Sequence, residues 1–204
     1  MPLKLDTPSE RAIALATERG IARARDFRAA GIPLVYLKRL CDEGHLVQLG
    51  RGLYQIPEIA GSDAEHNLAE AARFVPNAII CLLSALRHHG LTTQLPQAVW
   101  LTIPHKARKP KAPSFLMEIV YATEPMFSAG LEHIQIEGVD VPIYGAAKTV
   151  ADCFKYRRRV GLDVAVEALR DAIRLRKSTP AELMHYGSIN RVANLMRPYL
   201  EALA

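Results

Sequence analysis

Lys38 and Arg39 stand side by side in a short amphipathic segment, and Arg51 follows between two glycines. These side-chain types grip phosphate and read bases. Arginine pairs bidentately with guanine, lysine meets guanine or phosphate, and aliphatic groups such as those of Leu34 and Val35 touch a thymine methyl. A helix that enters the major groove is the natural support for them, braced by a neighbouring helix across the backbone. A hairpin beside it would bring Arg51 to a phosphate or to the adjacent minor groove. A plainer account also fits: a solvated helix face on a module that docks proteins. Asp42 and Glu43 close the same segment and would repel phosphates if they faced them.

The elements needed to hold these residues are readable around them. Thr7-Pro8-Ser9-Glu10 announces a helix, with Thr7 as cap, Pro8 at the first helical position and Glu10 as the capping-box partner. An apolar stripe through Ala12, Ile13, Leu15 and Ala16 carries it to Gly20. A second short helix is expected over Ala24 to Ala30, ending at Gly31, and a third over Pro33 to Glu43, stopping at Gly44. Tyr36, Leu37 and Leu40 would serve a small core with Phe27 and Ile32, leaving Leu34, Val35, Lys38 and Arg39 toward DNA. Two alternating runs around Gly50-Arg51-Gly52 predict a β-hairpin, which Pro57 closes. Two short helices, a glycine-bearing turn, a third helix and a hairpin are the parts of a winged helix-turn-helix.

The remainder reads as a mixed α/β domain with a helical C-terminal part, so the fold class is α+β. Ser62-Asp63-Ala64-Glu65 opens a helix to about Phe74. Strands are expected at Val99 to Ile103, Leu116 to Tyr121, His133 to Glu137 and Val141 to Tyr144. Helices are expected over Ala146 to Tyr156, Leu162 to Arg174, Pro180 to Tyr186 and Asn190 to Leu203. The expected division is 1–61 for the DNA-binding domain and 62–204 for the second.

The chain has 204 residues, a formal charge of +5 and a pI near 9.2, a balance that favours anionic partners without demanding them. Cys41, Cys81 and Cys153 are widely spaced and lie in apolar runs, which suits buried free thiols in a reducing compartment. The N-terminus has no signal-peptide profile and no apolar run has the length of a membrane span, so a soluble cytoplasmic protein with no membrane partner is expected.

His88-His89 beside Ser84 invites a catalytic or metal reading, but no acidic orienting residue or second ligand cluster accompanies it. A structural role near a helix C-terminus is preferred. Glycine-rich phosphate loops and paired carboxylates with a lysine on a strand are absent, so no cofactor and no enzyme activity is expected. Lys155, Arg157, Arg158 and Arg159 form the densest positive charge, reinforced by Arg170, Arg174, Arg176 and Lys177. They read either as a solvated helix end or as a surface for phosphate or an acidic partner.

Gly31-Ile32-Pro33, Arg39-Leu40, Gly44-His45-Leu46-Val47 and Gly50-Arg51-Gly52-Leu53-Tyr54 together resemble the N-terminal module of the AbiEi-type antitoxins. Cys81-Leu82-Leu83-Ser84-Ala85-Leu86 with His89-Gly90-Leu91-Thr92 resembles the start of that family's second domain. Lys148 to Phe154, Arg157 to Asp163 and Arg197 to Glu201 continue the likeness in the right order. Gln48 departs from it, standing where a second basic residue is common. The resemblance implies a DNA-binding module, including Leu34, Val35, Lys38, Arg39 and Arg51, that represses its own operon at promoter DNA. It also implies a second domain that counteracts a cognate nucleotidyltransferase-type toxin, for which Lys148, Lys155, Arg157, Arg158, Arg159 and Arg174 would offer a basic surface to toxin or nucleic acid. A DNA-tethered enzyme such as a nuclease, or a ligand-responsive transcription factor, is the competing expectation.

Overall fold

The computed structural model describes residues 7–50, 52–58, 64–110 and 115–203. The chain forms two compact units. The first comprises Met1–Pro76, Lys111–Phe115 and Gln135–Val141; the second comprises Asn77–Pro110, Leu116–Ile134 and Pro142–Ala204. Helix 64–74 falls in the first unit, beyond the division at Gly61 read from the sequence.

In the first unit, α1 (Pro8–Arg19) starts as its residues dictate. Thr7 Oγ1 accepts from the Glu10 N–H (3.2 Å), and the Glu10 carboxylate accepts from the Thr7 N–H (2.9 Å). After Gly20 come β1 (Ile21–Arg23), α2 (Ala24–Ala29), α3 (Leu34–Asp42), β2 (Val47–Gly50) and β3 (Leu53–Gln55). The sequence reading has no strand at β1; three residues carry no readable alternation, and this run is extended because it pairs antiparallel with β3 (Ala22 opposite Tyr54). The sheet order is β1-β3-β2.

Ala12, Ala16, Ala22, Phe27, Ile32, Leu37, Leu40 and Leu46 form one buried cluster beneath α3. Phe27 meets Tyr54 edge to face, with centroids 5.8 Å apart. Burial of each large apolar side chain here contributes roughly 1.5–3 kcal/mol. The expected core positions Leu37 and Leu40 are filled as read, whereas Tyr36 is half-exposed at the flank of the helix, under the Arg39 guanidinium. Helix α4 (Ala64–Phe74) adds Leu68, Ala69, Ala71 and Ala72 to the interior of this unit; its expected cap, Ser62-Asp63, lies outside the described residues.

A polar network joins distant parts of the same unit. Gln55 Nε2 donates to the Glu137 carboxylate (2.7 Å), and His66 Nδ1 bonds it as well (3.0 Å). Gln55 and His66 are buried, so these bonds satisfy groups that water cannot reach.

The second unit follows with β4 (Ile79–Ile80), α5 (Leu82–His88), β5 (Val99–Pro104) and β6 (Met117–Ala122). β7 (Leu131–Ile136) and β8 (Val139–Tyr144) complete a sheet of order β6-β5-β4-β8-β7, while the ends that meet at the Glu137-Gly138 turn fall within the first unit's stretch Gln135–Val141. β4 runs antiparallel to β5 and parallel to β8, while β5 and β6 are parallel, with Leu101 opposite Ile119. The chain then becomes helical: α6 (Ala146–Lys155), α7 (Arg157–Val160), α8 (Leu162–Arg174), α9 (Pro180–Ile189) and α10 (Ala193–Glu201).

Every side chain from Ala147 to Phe154 is buried, so α6 is a central helix covered on all sides. It carries an internal ion pair. The Lys148 ammonium donates to Asp152, which also accepts from Asn190 Nδ2 (2.8 Å). Burial pushes the Asp152 carboxyl pKa up, opposed by Lys148 and by the Asn190 hydrogen bond. No helix among the described residues is long and apolar enough to cross a membrane.

Candidate nucleic-acid interface

Helix α3 presents two faces because its apolar residues recur at helical spacing. Leu37 and Leu40 point into the small core, while Val35 is 71% exposed and Lys38 and Arg39 face solvent. Leu34, expected among the free residues, is half-buried and packs against the core, so only part of it is available. Arg39 is held from three sides. It donates to Ser9 Oγ (2.8 Å), pairs with Glu43 (3.4 Å) and lies 5.3 Å from the Tyr36 ring centroid. Lys38 makes no ion pair among the described residues, so it is the more available cation. Arg51 lies outside the described residues, and Gln48 Nε2 is engaged by the Gly50 carbonyl (3.1 Å).

Beside the start of α2 the same unit holds a feature that sequence reading missed. Arg23, Arg25, Arg28 and Arg73, with Phe74 and the Gly52 backbone, line an open cleft of 410 Å³. Arg23 donates to the Arg73 carbonyl, and Arg73 Nη2 donates to the Arg19 carbonyl (3.3 Å). Burial, then Arg25 and Arg73, lower the Arg23 pKa; burial is the leading cause for Arg73 also. The spacing of Arg23, Arg25 and Arg28 across a helix start was a usable signal. Arg73 joins them only through the fold.

The basic residues expected on the second domain are not one surface. Lys148 is 1% exposed and ion-paired inside α6, and so belongs to no surface at all. An isolated ammonium there would be costly, and Asp152 is what makes its burial tolerable. Arg159 donates to Glu118 (2.6 Å) and to the Ile119 carbonyl (3.0 Å), and sits 5.0 Å from the Trp100 ring centroid. It thereby ties α7 to the sheet edge. Arg157 is half-buried on the Phe154 carbonyl (3.0 Å), and Lys155 is half-buried near the Asn190 carbonyl (3.4 Å). Burial lowers the Lys155 pKa. Arg158 and Arg174 are exposed, the latter paired with Asp171 (3.0 Å).

Ser84 and His89 are each engaged by the backbone. Ser84 Oγ accepts from the Trp100 N–H (3.0 Å), and the His89 Nε2–H donates to the Tyr144 carbonyl (2.8 Å). Cys81 and Cys153 are buried free thiols, burial raising the Cys81 pKa to about 12; Cys41 is only half-buried. Burial also lowers the His89 pKa. In the unfolded chain this ring takes a proton near its ordinary value of about 6.5. The folded protein takes it only at lower pH, so between the two values the unfolded state holds more protons. Stability is therefore expected to fall as pH drops from about 7 to about 5. Denaturant titrations at both pH values should show a smaller loss for His89→Gln than for the parent; equal losses would clear His89 of the effect.

Residues 10–57 match the family model described as "Transcriptional regulator, AbiEi antitoxin". The resemblance to AbiEi-type antitoxins read from the sequence thus holds for the segment that carries α1 to β3. The crystal structure of the RV2827C protein from Mycobacterium tuberculosis is similar in fold, with a TM-score of 0.62 and 18% sequence identity over 91% of this chain and 72% of that one. No curated protein matches the chain significantly.

Proposed function

We propose that this protein is the antitoxin of an AbiE-like toxin–antitoxin system. In this reading it represses its own operon by binding promoter DNA and neutralises a nucleotidyltransferase-type toxin. The supporting observation is the arrangement within the matched segment: helices α1 to α3, a three-stranded sheet ending in a hairpin, and an exposed Val35-Lys38-Arg39 face on the third helix. That order supports a reading as a winged helix-turn-helix, in which α3 would be the recognition helix and β2–β3 the wing. Residues 1–61 would carry DNA recognition and residues 62–204 the neutralising function, as a regulator rather than an enzyme. Of the basic positions expected to face toxin or nucleic acid, Arg158, Arg159 and Arg174 are exposed, the latter two paired with Glu118 and Asp171.

Binding of a duplex from the chain's own promoter should weaken steeply with salt. Removing Lys38 from a phosphate should lower that slope by about one unit. The Lys38→Ala, Arg51→Ala double variant, followed by fluorescence anisotropy over a salt series, checks this. Undiminished affinity in the double variant would rule out the groove assignment. Co-purification with the product of an adjoining nucleotidyltransferase gene, and rescue of cells expressing it, tests the toxin half.

A further inference from the structure

The cleft beside α2 gathers more positive charge than its own surroundings neutralise. Arg25 approaches Asp26 only at 3.9 Å, and Asp26 already accepts from the Arg23 N–H (2.8 Å). Arg28 is exposed and makes no ion pair among the described residues. Arg73 Nε is buried and has no hydrogen-bond partner among them. A buried guanidinium N–H without an acceptor is costly, and guanidinium groups converging on one open space repel unless an anion is supplied. Arg23 and Arg73 are fixed by backbone carbonyls, which leaves their remaining donors pre-oriented. A planar fork of donors suits the tetrahedral oxygens of a phosphate better than any neutral ligand.

We propose that the cleft formed by Arg23, Arg25, Arg28 and Arg73 is a phosphate-binding site. It rests on the same unit as the DNA reading and extends it away from α3. The phosphate could come from a backbone phosphodiester of the bound duplex or from a free nucleoside phosphate; Phe74 lines the cleft beside the arginines, where a nucleobase would lie in the second case. Arg25 and Arg28 reach the phosphate from the exposed side, and Arg23 and Arg73 contribute charge from the cleft wall.

The test uses the full chain in two arms. In the first, inorganic pyrophosphate is titrated while the arginine Nε–Hε resonances are followed by NMR; those of Arg23 and Arg73 should shift in a saturable way. In the second, duplex binding is measured over a salt series for the parent, Arg25→Ala/Arg28→Ala and Arg25→Lys/Arg28→Lys. The alanine pair should lower the salt slope by about one to two units, and the lysine pair should restore most of it. Resonance shifts with no change in slope assign the site to a free phosphate and leave the DNA reading to stand on Lys38. Shifts in a protein that binds no duplex uphold the site and overturn the DNA reading. Unshifted resonances together with an unchanged slope overturn the site, whatever Lys38 does.

Discussion

Gly20→Ala should unfold most of the first unit, lowering stability by about 3 kcal/mol or more. Gly20 ends α1 at φ +62 and ψ −82, a conformation that L side chains rarely adopt. A Cβ added there would collide with the Glu137 carbonyl oxygen, which is backbone and cannot swing aside as a side chain would. The strain and the overlap therefore act together. Gly31→Ala is the matched control: its φ is +70, but nothing lies within 4 Å of the added atom, so only the cost of the backbone conformation, about 1 kcal/mol, is expected. Hydrogen exchange along α1 and β1 should report the difference, and the promoter binding proposed for this unit should be lost in the first variant only. Equal behaviour of the two would mean that the close approach at Glu137 contributes nothing.

Asp152→Ala is the second large effect, a loss of about 3–5 kcal/mol, because it strands the Lys148 ammonium inside α6 and removes the acceptor of Asn190. Asp152→Asn keeps a hydrogen-bonding group and should cost less. Replacing both partners, as Lys148→Met with Asp152→Leu, should recover most of the loss, since apolar residues of similar size dispense with desolvating two charges. Urea unfolding followed by Trp100 fluorescence separates the three. If the double variant were as damaged as Asp152→Ala, packing rather than charge would govern the position.

The parts legible in the sequence were those set by local chemistry. The Thr7–Glu10 cap, the inward positions Leu37 and Leu40, and the glycine hairpin are each decided within a few residues. Strand β1 was not legible, because its only instruction is the partner strand some thirty residues later. Tyr36 looked like core by type, but its angular position leaves it at the edge of the buried stripe. Lys148 is the instructive case. Its charge suggested a surface, yet Ala147, Thr149, Val150, Ala151, Cys153 and Phe154 around it already spelled a helix without a solvent face, and Asp152 stood one turn away. The α3 cations could be named in advance; the arginine cleft could not, because Arg73 arrives there through tertiary packing alone.

The bond between Gln55 and Glu137 bears on gene surgery. The first unit draws on three separate stretches of chain, so no single cut lifts it out as a cassette. A fragment ending at Gly61 would leave the buried Gln55 amide without its acceptor, and one starting at Ser62 would keep Glu137 and His66 but lose Gln55. Swapping the first unit between related proteins therefore calls for grafting the β7–β8 tip along with it.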